Sequence, residues 1–269
     1  MMRSLFLAGV IAAAVAVMGG PAWAQGKGAK GRDITAPSQS KEQLERMGQV
    51  DVGLVPIYPA TAACPPVASP FGSETRFDGS LRANPFYGFH SGMDISAKAG
   101  TPLIAIAAGE VVHKGNGGPL VGNYIWLRHA PEETGLPVYL YSRYQHLDQP
   151  AKHEIGARLK VGDDVGPAGN TGTTGPAFGP AGYYHLHLLI FAADGPEYST
   201  QAAIIETAPG RRYLDPLAVY MAPSTTFNNH ALRDLPEAQK RVPIPYQATD
   251  GTREPVGTKL VWPLACRRG

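Results

Sequence analysis

Between residues 100 and 195 the chain is a series of short apolar runs separated by glycine. Residues 103–108 (Leu-Ile-Ala-Ile-Ala-Ala) read as a buried strand ended by Gly109, and residues 110–114 as a second strand ended by Gly115. Residues 123–129 and 138–144 alternate apolar with polar, the pattern of half-buried strands. Residues 183–191 are aromatic, then apolar, with no Gly or Pro, which predicts another strand. Strands at this spacing without helical stretches between them predict an all-β barrel or sandwich. Helix is expected only at 41–47 and in part of 201–207. Residues 51–70 are Pro-rich and expected to be extended over the surface, as is the tail beyond 221. The early part of 25–50 is Gly-, Lys- and Ser-rich and expected to be disordered.

Composition supports this reading. Among 269 residues there are 32 Gly and 25 Pro, only 17% charged and 43% hydrophobic, a mix for many strands and turns around a packed core. A net charge of +2, spread along the chain, gives no reason to expect a nucleic-acid partner. The first 24 residues change the picture. Arg3 precedes an apolar run over 5–18, Gly19-Gly20-Pro21 breaks it, and Ala22-Trp23-Ala24 is a small-x-small cleavage site. That is a Sec-type secretory signal peptide, and the run is short for a bilayer span, so no transmembrane anchor is expected in the mature form. Export to an oxidising compartment makes the only two cysteines, Cys64 and Cys266, a candidate disulfide, with two free buried thiols as the alternative. Neither has the C-x-x-C spacing of a zinc ligand.

The candidate chemistry lies in histidines. Side chains alternate faces along a strand, so His185 and His187 point the same way. Upstream, His90-Ser-Gly-Met-Asp94 puts a His and an Asp four apart around a glycine. His plus Asp plus one of the paired histidines makes three ligands with a fourth position open, the composition of a catalytic zinc site. His129 is expected to be structural, and His113, His153 and His230 solvated. Tyr141, Tyr144, Tyr183 and Tyr184 are expected in the core or the groove wall.

In order along residues 67–220, the motifs are Ser69-Pro-Phe-Gly72, His90-x-Gly-x-Asp94, Gly100-Thr-Pro102 through Gly109-Glu-Val111, Tyr144-x-His146-Leu147, Val161-Gly162 through Thr171-Gly172, and His185-x-His187. Together they resemble the lysostaphin/LytM-type zinc metallopeptidases, which cut peptide cross-links in bacterial cell walls. The resemblance implies a small antiparallel β barrel-sandwich, a duplicated hybrid motif, with an N-terminal extension and a Pro-rich C-terminal tail. It implies Zn2+ on His90, Asp94 and His187, with His146 and His185 as catalytic histidines that do not hold the metal. Three departures stand out. Where many members have an acidic residue two positions after the last metal His, this chain has Leu189. The loop between Gly172 and His185 and the insertion before Tyr213 are both longer than usual.

The expected division is a signal peptide (1–24), an extended segment (25–66), a peptidase domain (67–221) and a tail packed on it (222–269). The expected function is a secreted zinc endopeptidase acting on peptidoglycan peptide stems. The expected bond is the D-Ala–diaminopimelate cross-link, in the periplasm of a Gram-negative bacterium, and the protein is expected to be a monomer. The alternative is a non-hydrolytic scaffold that activates another cell-wall hydrolase; such members usually lose site residues, and here all five are present.

Overall fold

A computed structural model describes residues 40–82, 89–173, 183–221 and 227–269. The expected signal peptide and most of the 173–182 loop lie outside the described residues. The all-β expectation holds. The centre is one antiparallel sheet of β1 (Val67–Ser69), β2 (Met93–Ser96), β3 (Gly109–Asn116), β4 (Asn123–His129), β5 (Tyr139–Leu147), β6 (Arg158–Leu159) and β7 (His185–Ala193). Their order is β1-β2-β7-β5-β4-β3-β6, with a short β10 (Tyr213–Leu214) also paired to β7. Between β7 and β10 a hairpin of β8 (Tyr198–Gln201) and β9 (Ile204–Thr207) stands out of the sheet.

The register fixes two faces. On one, Leu186, Leu188 and Ile190 of β7 lie beside Tyr144 and Ser142 of β5 and Ile125 and Leu127 of β4, all within 3% of full burial. His129 shares this face; Ala108 O and Ser142 Oγ hold its two ring nitrogens, and burial lowers its pKa to about 4. On the other face lie His187, Leu189 and Phe191 with Gln145, Arg143, Tyr141 and Trp126. The hairpin covers the far end of this second face. Ala203 O accepts from Trp126 Nε1 at 3.0 Å and from Arg143 Nη1 at 2.9 Å, and Pro196 O accepts from Tyr141 Oη at 2.8 Å. A strand buried on both faces reads as an unbroken apolar run. That is why 188–193 stops alternating after His187.

Several boundaries differ from the sequence reading. Only Pro102–Ile104 is strand; Ala105–Ala107 are fully buried but hydrogen-bond to loops, at Asp163 O and Gly162 N for Ala105 and at Val261 N for Ile106. Periodicity alone cannot separate such a run from a strand. Gly115 continues β3 rather than ending it. The stretch 201–207 is strand, not helix. Gln201 pairs with Ile204 across a two-residue turn in which Ala202 adopts φ 52, and Ile205 is buried with no exposure. Tertiary burial of β-branched residues overrides the helical leaning of the Gln-Ala-Ala start. His113, His153 and His230 each hold a backbone carbonyl, those of Ala202, Asp164 and Glu45, rather than standing in solvent.

Residues 40–66 and the tail are woven together. Helix α1 (Lys41–Arg46) is closed by a capping box from Ser40 and Gln43. Val55–Ile57 runs parallel to Arg241–Pro243, and Ala62–Ala63 pairs with Arg267–Arg268. The tail buries Val261, Trp262 and Leu264 completely, and Trp262 Nε1 donates to Pro65 O. Cys64 and Cys266 form a disulfide across 202 residues of sequence. In the chain-entropy picture so long a loop contributes at most about 5 kcal/mol, or roughly 10–20 °C. Cys266→Ser is therefore expected to lower the melting temperature markedly while leaving metal content unchanged, checked by calorimetry and elemental analysis of the same sample.

Candidate metal centre

Two strands and two turns deliver the site. Asp94 of β2 stands directly opposite His187 of β7 in the antiparallel register, so cross-strand pairing brings the carboxylate to the imidazole. His185 lies two residues back on the same face. His90 returns from the turn before β2. This turn passes so close to β7 that a Cβ on Gly92 would sit 2.5 Å from Leu188 O and 2.6 Å from His187 Nε2. Only glycine fits there. Gly92→Ala is expected to displace His187 and lower metal occupancy at least tenfold with the sheet intact, read from metal content and circular dichroism. His146 ends β5 with φ 65, a left-handed conformation that swings its ring away from the strand's alternation.

Three donor atoms converge. His90 Nε2 is 3.0 Å from Asp94 Oδ1 and 3.1 Å from His187 Nδ1, and His187 Nδ1 is 2.8 Å from Asp94 Oδ1. All three residues are buried. Protonation can be assigned from partners. Pro70 O only accepts, so His90 Nδ1, 2.8 Å away, carries the hydrogen. His90 Nε2 then faces a carboxylate oxygen and a second imidazole nitrogen. A hydrogen on one imidazole nitrogen bridges such a triangle when it is empty, and a cation at its centre would meet all three atoms at once. His187 fits the same reading. Burial pushes its pKa down to about 3, leaving it neutral and able to ligate, and its Nε2 has no hydrogen-bond partner among the described residues. Burial alone would raise the Asp94 carboxyl, but His90 and His185 beside it, with hydrogen bonds from His185 and His187, hold it well below the usual carboxylate range. Two neutral imidazoles and a carboxylate suit zinc.

The expected catalytic pair is also here. The His146 and His185 rings lie 4.7 Å apart, and His146 is 5.9 Å from His187. His146 Nδ1 donates to Thr171 O and His185 Nδ1 to Tyr183 O, and His146 Nε2 accepts from Gln145 Nε2 at 3.2 Å. Burial, then the neighbouring His185 and His187, keep the His146 pKa well below its ordinary value. The His185 Nε2 is 3.4 Å from Asp94 Oδ1. All five histidine and aspartate residues singled out from the sequence line one cavity of about 130 Å³. A larger groove of about 1210 Å³ runs beside the tail, but it brings no such donors together.

Sequence reasoning missed the support around Asp94. Tyr183 Oη donates to Asp94 Oδ2 at 2.8 Å while its ring stacks on His185. Arg82 is buried 3.6 Å from the same oxygen and is itself held by Ser69 Oγ and Thr75 O. These contacts fix the outer oxygen and leave Oδ1 to the centre, the work of an outer layer at a metal site. Tyr183 adjoins the His-x-His motif, but nothing local marks Arg82, whose partners are distant in sequence.

A buried His–Asp–His triad on an antiparallel sheet, with two further histidines beside it, defines a metallopeptidase-like centre. Residues 88–195 match the model of Peptidase family M23, in agreement with the resemblance carried by the ordered motifs. An uncharacterized metalloprotease of Haemophilus influenzae is 32% identical over 123 residues, which is 45% of this chain and 22% of that protein. The chain thus spans under a quarter of that relative's length. The catalytic domain of lysostaphin from Staphylococcus simulans is 21% identical, with a TM-score of 0.39 over 57% of this chain and 90% of that one. A zinc-containing peptidase from Vibrio cholerae is 23% identical, with a TM-score of 0.36 over 54% of this chain and 36% of that one.

Proposed function

We propose that this chain is a zinc metalloendopeptidase that hydrolyses peptide cross-links of bacterial peptidoglycan. The observation that carries the reading is the convergence of His90 Nε2, Asp94 Oδ1 and His187 Nδ1, three ligand-type atoms 2.8–3.1 Å from one another on buried side chains. Zinc bound there would polarise the scissile carbonyl and lower the pKa of an attacking water to about 7.

The protein's own groups do the rest. His146 and His185 line one buried cavity with the metal ligands, so one takes a proton from the water as its oxygen bonds the carbonyl carbon. The other, with a proton taken up from bulk solvent on its Nε2, hydrogen-bonds the oxygen that gains charge and keeps that proton when the carbonyl re-forms. The proton taken from water is then passed to the leaving amine as the C–N bond breaks. Tyr183 and Arg82 keep Asp94 from rotating during these steps.

Within this reading, residues 67–221 form the peptidase domain and the tail braces it. The signal-like N-terminus and the Cys64–Cys266 bridge favour export to an oxidising compartment, the periplasm of a Gram-negative cell, with D-Ala–diaminopimelate as the bond cut. The test is elemental analysis with chelation: one zinc per chain, activity on cross-linked stem peptides abolished by a strong chelator and restored by zinc. Full activity in metal-free protein would refute it.

A further inference from the structure

Arg143 is a buried cation that the proposed chemistry leaves unused. It is 5% exposed and lies two residues before Gln145 on β5, on the face that carries His187. At the strand rise of about 3.3 Å per residue, that is roughly 7 Å along the sheet from the metal ligands. Its side chain lines the same cavity as His146, His185 and His187. The hairpin tip holds one end of the guanidinium through Ala203 O, and the Trp126 ring lies against it at 5.3 Å. Its Nε has no hydrogen-bond partner among the described residues.

A buried charge is ordinarily paired. Among the described residues no acid does so. The titratable groups that reach Arg143 are the neutral phenols of Tyr213 and Tyr124, His187 and the like-charged Arg211, while Arg211 itself is paired with Glu206. The internal segments outside the described residues, 83–88, 174–182 and 222–226, contain no Asp or Glu. The residue directly across the strand pair is Leu189, the position where the family resemblance leads one to look for an acid. Arg143 is thus fixed, desolvated and lining the cavity, with no anion against it among the described residues.

We propose that Arg143 is a specificity-determining residue that binds a carboxylate of the substrate close to the scissile bond. The inference rests on the peptidase reading for the identity of the substrate. The guanidinium fork suits a planar carboxylate, and the hairpin fixes it before binding. Both a chain-terminal carboxylate and the side-chain carboxylate of a diamino acid offer this chemistry.

The test uses zinc-loaded full-length chain carrying His146→Ala, so that ligand is bound without turnover. The probes are three synthetic stem-peptide dimers: the free acid, its C-terminal amide, and the amide of its side-chain carboxylate. Calorimetry is expected to show the free acid binding at least tenfold more tightly than one of the amides, which names the carboxylate read. Arg143→Gln should erase that difference and Arg143→Lys should restore part of it. Leu189→Glu, which supplies an internal anion and leaves Arg143 in place, should also erase it with melting temperature and zinc content retained. Equal binding of all three probes would overturn the proposal. So would a preference that survives both Arg143→Gln and Leu189→Glu. Cleavage by the unmutated chain is scored separately: acid preference without cleavage would sink the peptidase reading and leave Arg143 as a carboxylate subsite.

Discussion

His187→Ala is expected to remove both the metal and the hydrolysis. Its Nδ1 is one corner of the donor triangle, 2.8 Å from Asp94 Oδ1 and 3.1 Å from His90 Nε2. Two remaining donors do not hold zinc firmly at an open site. A metal ion that polarises the carbonyl and activates water supplies several kcal/mol, so a loss of roughly 10³-fold or more in rate is expected. Elemental analysis and peptide cleavage on one preparation check both halves. Zinc retained at one per chain would place the metal elsewhere.

His146→Ala separates chemistry from binding. The ring sits beside His185 but outside the donor triangle, hydrogen-bonded through Nδ1 to Thr171 O. Its loss should leave zinc content and melting temperature near those of the parent protein. A positioned general acid or base typically contributes 10²–10⁴-fold, and kcat should fall by that amount. A scaffold that only activates another hydrolase needs an intact surface, so His146→Ala would still rescue wall remodelling in cells lacking the protein. Full rescue by this variant, with no cleavage by the parent, would favour that role.

Much of the site was legible because it rests on local rules. The two-residue period of a strand puts His185 and His187 on one face, and the His-x-Gly-x-Asp turn needs its glycine for contact with β7. What was not legible depends on long-range contact. His146 was named only through its Tyr-x-His-Leu motif, because the left-handed backbone that takes it to the cavity is announced by no periodicity. Arg82 arrives from a loop, and its role depends on Asp94, Ser69 and Thr75 meeting in space. The 201–207 stretch has a helix-forming start, and only the burial of Ile205 and the carbonyl contacts of Ala202 and Ala203 make it a hairpin. The tail's lack of period concealed how deeply Trp262 and Leu264 are buried.

The most direct test of the account is mass analysis of muropeptides released from purified Gram-negative sacculi by the zinc-loaded protein, with a chelated control. Loss of cross-linked dimers and a matching gain of monomers, seen with zinc and absent with chelator, is the result expected. Unchanged cross-linking in the presence of stoichiometric zinc would contradict it.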